Sequence, residues 1–326
     1  MSPGRREHSR PPVLVLFGPT ASGKTELLSR LFRESAGAEV VSADSMQVYR
    51  GMDIGTAKPS PRLREEFPHH LIDIRDPGEQ FTAGDFVRLA DAACADIARR
   101  GKLPVVSGGT GFYLKNFIFG LGEAPPSDQA VRDGLKSDLA EKGSGALMDE
   151  LSRRDGESAA RIHVNDTYRL LRALEVVRLT GRPLSSFAVH GGPSAFRDCY
   201  RFLVVELSRP REELYRHIEE RCGEMFRQGL AGEVQGLFGK GYTPEDPGMR
   251  AIGYREFFVQ DGEGAKWRLS EDLDGVRKLA ARNSRRYAKR QMTFFASIPA
   301  VVKAAPEAAF DRILDLLPGL VHTRGG

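Results

Sequence analysis

Val13-Leu14-Val15-Leu16-Phe17-Gly18-Pro19-Thr20-Ala21-Ser22-Gly23-Lys24-Thr25 is the stretch on which the fold turns. Five consecutive apolar residues read as a strand. Gly18 to Thr25 then fills the pattern G-x-x-x-x-G-K-[ST], and a helical run, residues 26–33, follows directly. Gly18 and Gly23 let the backbone through Pro19, Thr20, Ala21 and Ser22 curl, so that N–H groups and a helix N-terminus face a polyanion. Lys24 adds a point charge, and the Thr25 hydroxyl is able to ligate magnesium. A Gly-rich turn with an exposed lysine would not need the flanking strand and helix. The loop is therefore read as a site for a diphosphate or triphosphate.

Outward from this unit the chain alternates strand, loop and helix, as an α/β protein with a parallel sheet does. Strands are expected at residues 13–17, 39–42 and 103–107, and an Ala-rich crossover helix at 83–100, after a Gly/Pro-punctuated stretch at 51–78. Ala124, Pro125 and Pro126 break the pattern, and helical periodicity with little strand signal runs on to about residue 180. A strand-like run at 201–207 and amphipathic helices at 214–228 and 272–295 restore the first pattern. The expected architecture is a P-loop NTPase-like α/β core, a parallel sheet flanked by helices, from residues 11–120 and 201–298. A helical insertion at 121–200 interrupts it, and a partly helical tail occupies 299–326.

The 326 residues allow roughly two domains, and 40% apolar with 28% charged residues is an ordinary globular balance. The apolar run at 13–17 is far too short for a signal-peptide core or a membrane span, so no membrane partner is expected. Cys94, Cys199 and Cys222 are odd in number and unpaired in pattern, which fits a reducing, cytoplasmic setting. Nothing argues for more than a monomer. A net charge of +4 is too slight to imply nucleic acid, so the distribution of charge has to decide.

A nucleoside triphosphatase needs a second apolar strand ending in a magnesium-binding Asp, but the third strand runs into Val106-Ser107-Gly108-Gly109-Thr110 without one. The nearby strand-end carboxylate is Asp44, in Ser42-Ala43-Asp44-Ser45-Met46-Gln47-Val48-Tyr49. Ligands of doubly wound sheets sit at the carboxyl ends of strands, so Asp44 should face the phosphate loop's mouth, unless it only caps the next turn. Thr110 holds the equivalent place after the third strand, among Gly108, Gly109 and Gly111. Its hydroxyl either points into the site or caps the helix at 112–119, and spacing alone does not separate the two.

These residues resemble the tRNA dimethylallyltransferase family, also called tRNA isopentenyltransferases. The likeness rests on the phosphate loop, on Ser42 to Tyr49 with Gly51-Met52-Asp53-Ile54-Gly55-Thr56-Ala57-Lys58-Pro59, and on His69-His70-Leu71-Ile72-Asp73-Ile74. It continues through Gly108-Gly109-Thr110-Gly111, Arg161-Ile162-His163 with Asn165-Asp166, Gly253-Tyr254-Arg255-Glu256 and Tyr287-Ala288-Lys289-Arg290-Gln291. The resemblance implies transfer of a dimethylallyl group from dimethylallyl diphosphate to N6 of the adenosine 3′ to the anticodon, in tRNAs reading codons that start with U. Lys24, Thr25, Mg²⁺ and backbone N–H dipoles would stabilise the departing diphosphate. Asp44 would be the base that takes the amine proton, and Thr110 would hydrogen-bond near the reacting amine.

An adenine stacked in an anticodon loop has to be drawn out to reach such a site, which calls for a second RNA-binding surface. The insertion matches in place the family's grip on the anticodon stem-loop. Its first half, residues 121–160, carries five basic against nine acidic residues, and its second half, 161–200, six against three. By resemblance Tyr168, Arg169, Leu170, Leu171 and Arg172 contact tRNA, as do Arg132 and Asp44, Ser45, Met46, Gln47 and Thr110 near the active site. Solvated helix faces would account equally well for single arginines. Arg282, Arg286, Lys289 and Arg290 form a basic stripe at helical spacing.

His217 stands where the family commonly has arginine, which leaves Arg221 as the diphosphate ligand expected from that helix. His69 and His70 read as structural, His163 with Asp166 as a turn, and Tyr254 and Phe294-Phe295 as core. Three rivals remain open from the residues: a prenyltransferase of free adenine nucleotides, a small-molecule kinase using Asp44 on a hydroxyl, and a non-catalytic RNA-binding module. Incubation with labelled ATP and tRNA removes the kinase if no phosphoryl group moves.

Overall fold

The computed structural model describes residues 10–34, 37–187, 196–262 and 264–321. The chain divides into two compact units, residues 1–118 with 196–326, and residues 119–195.

The first unit is built on strands β1 (Pro12–Phe17), β2 (Ala38–Ser42), β3 (His69–His70), β4 (Leu103–Gly108) and β5 (Arg201–Leu207). A separate antiparallel pair, β6 (Phe258–Val259) and β7 (Arg268–Leu269), precedes the last strand, β8 (Val302–Ala304). The main sheet has the order β3-β2-β4-β1-β5-β8, and every pairing in it is parallel. β1 is central, with Leu14 beside Val105 on one side and Leu203 on the other. Being covered on both faces, it is apolar throughout, which is why it reads so plainly in the sequence.

Helices α1 (Lys24–Glu34), α2 (Pro61–Glu66), α3 (Ala83–Arg99) and α4 (Gly111–Phe119) connect the first four strands and follow the fourth. α3 opens on a capping box, Thr82 and Asp85 each accepting from the other's backbone N–H, and buries Phe86, Val87, Ala90, Cys94 and Ile97 at helical spacing. His69 and His70 are structural: His70 Nε2 lies 2.7 Å from Glu39, a buried carboxylate also held by Arg100 and Lys102.

The segment read as a tail belongs to the core. Val302 to Ala304 pair with β5, and a terminal helix (Pro306–Val321) buries Ala309, Phe310 and Ile313 against Leu14, Leu27 and Leu31. Burying Phe310 and Ile313 contributes about 1.5–3 kcal/mol each. β3 and β8 escape a sequence reading because strands of two and three residues carry no alternation to detect.

The second unit is helical: α5 (Gln129–Arg154), α6 (Gly156–Arg161) and α7 (Thr167–Thr180). Its core is Leu135, Leu147, Leu151, Leu170, Leu171 and Leu174, and α5 bends at Gly143, whose φ is 76°. Part of the 121–200 insertion, residues 188–195, lies outside the described residues. Back in the first unit, α8 (Arg211–Arg227), α9 (Leu230–Gly239), α10 (Leu273–Phe295) and the terminal helix, α11, complete the chain.

Asp155 is the polar pin of the helical unit. Although almost wholly buried, its carboxylate accepts from the N–H and hydroxyl of both Ser158 and Ser185 at 2.6–3.0 Å. Burial raises its pKa, but those four bonds outweigh it and bring the group down to about 2. Because the folded pKa lies below the unfolded one, the stabilisation is fully present above about pH 4 and fades as pH falls through 2. Asp155→Ala should therefore cost about 2 kcal/mol at pH 7, and the difference from wild type in urea unfolding should shrink steadily below pH 4.

Candidate active site

The carboxyl ends of β1, β2 and β4 bring three loops together, and missing side chains make their approach possible. A Cβ on Gly108 would stand 2.1 Å from the Ala43 carbonyl oxygen, and one on Gly18 2.7 Å from that of Leu207. Ala43 donates to Ser107 O at 2.7 Å and accepts from Thr110 N at 3.1 Å, so the loops after β2 and β4 stay laced beyond the sheet. The phosphate loop curls through positive φ at Ala21 (63°) and Gly23 (95°) into α1.

Inside that curl Lys24 Nζ donates to Gly18 O at 2.8 Å and Pro19 O at 2.9 Å. Burial, then the Arg221 guanidinium, push Lys24 down to about 8, while Asp44 acts in the opposite sense. Thr20 N donates to Gln291 Oε1 at 2.9 Å, and Gln291 Nε2 donates to Gly109 O at 2.7 Å. One buried amide from α10 thus ties the phosphate loop to the β4 loop.

Asp44 serves both of the roles weighed for it. Its Oδ1 accepts from Met46 N at 2.8 Å and more weakly from Gln47 N, which caps the turn, while Oδ2 has no hydrogen-bond partner among the described residues. Thr110 Oγ1 accepts from Ser45 N at 2.9 Å, so its side chain braces the β2 loop. Tyr287, beside them on α10, is pushed up to about 12 by burial and by the Asp44 charge, against hydrogen bonds with Thr110 and Gln291.

These groups face a cavity of about 760 Å³. Lys24, Arg221, Arg209 and Arg290 give one part of its wall a positive character, with Thr25 and His217 beside them, and Ile218, Cys222, Met225, Phe226 and Leu230 give another an apolar one. α8 supplies both because Ile218, Cys222 and Met225 repeat at helical spacing while His217 and Arg221 fall beside them. Burial pushes the Arg221 guanidinium's pKa down, and no ion pair restores it among the described residues. A cation so placed, next to a buried lysine, is neutralised by an anionic ligand. His217 lies 4.0 Å from Glu213, which also pairs with Arg209.

Arg209, Tyr287 and Gln291 were not singled out as site residues from sequence. A glutamine on the apolar stripe of an amphipathic helix is a usable signal, because a buried amide has to find partners. Arg209 gave none, since only the fold brings the end of β5 beside Ser22, whose carbonyl accepts its Nε–H at 3.2 Å.

In the helical unit the five consecutive candidates divide. Tyr168 and Arg169 are exposed, and Arg132 lies over the Tyr168 ring at 5.2 Å. Leu170 and Leu171 are core residues. Arg172 is turned inward, donating to Pro125 O and to Glu175, a carboxylate with no exposed surface. On α10, Arg282, Arg286, Lys289 and Arg290 are all exposed.

A parallel sheet whose central strand runs into a Gly-rich G-x-x-x-x-G-K-[ST] loop, beside a strand-end carboxylate, defines the P-loop NTPase-like class of α/β folds. The sequence pattern of the IPP transferase family matches residues 47–297, and that described as isopentenyl transferase matches 11–69. The chain is 46% identical over 311 residues to the tRNA dimethylallyltransferase of Geobacter sulfurreducens, covering 95% of this chain and 97% of that one. It resembles the crystal structure of the tRNA isopentenylpyrophosphate transferase of Bacillus halodurans at 36% identity and TM-score 0.64, over 95% of this chain and 96% of the other. A eukaryotic dimethylallyltransferase acting on tRNA shares the fold, at TM-score 0.77 and 24% identity over 97% and 80% of the two chains. The chain belongs to the tRNA dimethylallyltransferase family. Among the described residues no helix is long and apolar enough to cross a membrane.

Gln291→Leu fills the same space but leaves Thr20 N–H and Gly109 C=O unpaired, each a loss of about 1–3 kcal/mol. Calorimetric titration with inorganic pyrophosphate should show affinity lowered at least tenfold, with the variant still folded.

Proposed function

We propose that this protein transfers the dimethylallyl group of dimethylallyl diphosphate to N6 of the adenosine 3′-adjacent to the anticodon, in tRNAs that read codons starting with U. N6-dimethylallyladenosine and diphosphate are the products. The observation that carries this reading is one cavity holding an unpaired carboxylate oxygen on Asp44, the cations Lys24 and Arg221, and an apolar wall. A free-nucleotide prenyltransferase has no use for a separate helical unit with exposed Tyr168 and Arg169.

In the reaction the adenine amine attacks the allylic carbon, the carbon–oxygen bond to diphosphate breaks, and the amine proton passes to Asp44. Met46 N–H, held on Oδ1, orients the carboxylate so that Oδ2 faces the amine. Lys24, Arg221 and the N–H groups of the phosphate loop receive the negative charge that builds on the leaving oxygens. Thr110 and Tyr287 fix the far side of the Asp44 loop.

Mg²⁺ fits this site as a shared ion. Thr25 lines the cavity, and the described residues hold no group of three His, Cys, Asp or Glu side chains that would form a cage, so substrate oxygens and water would complete the shell. Bound there, the ion would neutralise diphosphate charge.

Nucleoside mass spectrometry of unmodified tRNA, incubated with the protein, Mg²⁺ and dimethylallyl diphosphate, should show adenosine gaining the mass of one dimethylallyl group. Unmodified nucleosides would refute the reading. Asp44→Asn should lower the single-turnover rate about 10²–10⁴-fold while tRNA still binds, and Lys24→Ala should cost about 10²-fold or more.

Tyr168 and Arg169 support a grip on the anticodon stem-loop. Arg169→Ala should reduce the salt slope of tRNA binding by about 0.7–0.9. Arg172→Ala should lower the unfolding midpoint instead, because Glu175 is left buried and unpaired.

A further inference from the structure

Glu233, on α9, does not line the cavity, yet two of the cavity's walls meet on its carboxylate. Oε2 accepts from Asp53 N at 2.9 Å and Ile54 N at 2.8 Å, and Oε1 from Gly55 N at 3.2 Å and from the Tyr254 hydroxyl at 2.6 Å. Three successive backbone N–H groups converging on one anion form a nest. With the phenol added, four donors occupy the roughly four acceptor sites a carboxylate offers. Glu233 therefore has no capacity left for proton transfer or for a ligand, and what it does, it does by holding.

The turn it holds opens directly on the site. Gly55, Thr56 and Ala57 line the cavity on one side, and the segment carrying Tyr254 lines it on another. The two are fitted closely: a Cβ on Gly55 would stand 2.4–2.8 Å from the Tyr254 ring, so the fully buried phenol lies flat on bare backbone. From there the turn reaches Gln47, whose Nε2 lies 3.4 Å from both Thr56 O and Ala57 O, while its Oε1 accepts from Ser42 Oγ at 3.0 Å. Ala57 presents that carbonyl at a φ of 49°, a left-handed conformation that a non-glycine residue keeps only when its surroundings impose it. Lys58, buried beneath the turn, pairs with Asp53 and Asp73 and closes its other end.

We infer that Glu233 is a positioning residue for the acceptor side of the site: by pinning residues 53–55 to Tyr254 it sets the carbonyls of Thr56 and Ala57, and through them the orientation of Gln47 next to Asp44. This rests on the proposed function, since Gln47 matters only if an acceptor base is presented to Asp44. Nothing in the arrangement touches the phosphate loop, so the donor side should be independent of it.

The test compares Glu233→Gln, Tyr254→Phe, Gln47→Ala and the Glu233→Gln/Gln47→Ala pair in steady-state prenylation, with wild type alongside and unfolding midpoints recorded. Gln keeps one acceptor oxygen but points an amide N–H at donors, and Tyr254→Phe removes a single bond should the first variant fold poorly. Glu233→Gln should lower kcat/KM for tRNA by at least about tenfold while the KM for dimethylallyl diphosphate stays within about twofold. Tyr254→Phe should move the same parameter in the same direction by less. The Glu233 and Gln47 effects should be less than additive, as for two residues on one line of support. Equal losses toward both substrates that track the unfolding midpoint, additive effects in the pair, or wild-type kinetics in both single variants would each overturn the inference. A wild-type protein that prenylates no tRNA would instead overturn the proposed function, and this inference with it.

Discussion

The site depends on backbone meeting backbone where strands end. Gly108 lies so close to Ala43 that no side chain fits between them, and this contact holds the Asp44 loop against the loop after β4. The Ala43 N–H and carbonyl extend the lacing past the last sheet residues and hold the two loops together. Gln291 repeats the device across the central strand, with a side-chain amide standing in for peptide groups.

That arrangement explains which parts of the molecule were legible in the sequence. The phosphate loop, Asp44 and Thr110 were readable because each is tied to a local pattern: an apolar strand followed at once by glycines or by a carboxylate. The central strands were readable for the same reason. Arg209 and the nest of Glu233 were not, because each acts across a long separation in the chain, and no spacing rule links residue 233 to residues 53–55. Leu170 and Leu171 show the opposite case. The resemblance placed them with Tyr168 in an RNA-contacting segment, but on a helix consecutive residues point in different directions, and the core took these two.

Electrostatics divides the protein's arginines into two populations. Most are solvent-facing and engaged in short-range pairs such as Arg178 with Asp138 and Glu150, which fasten helices and contribute little individually. Arg221 is of the other kind, partly buried and in no salt bridge among the described residues, with the Asp44 charge acting against the burial that lowers its pKa. Lys24 shares that condition, and its lowered pKa is the measure of it. Binding of an anion beside these two cations should therefore make the whole core harder to unfold.

The edge strand β8 and helix α11 also bear on the donor loop. Pro306 presses on the phosphate loop, its ring 2.9 Å from where a Cβ of Gly23 would be, and Phe310 lies under the Arg30 guanidinium of α1. Helices α1 and α11, far apart in sequence, are therefore parts of one layer. Without α11 the donor loop would lack its outer support, and the face of α1 that packs on that helix would be wet. Removing α11 would therefore take away a prop of the donor loop as well as part of the core.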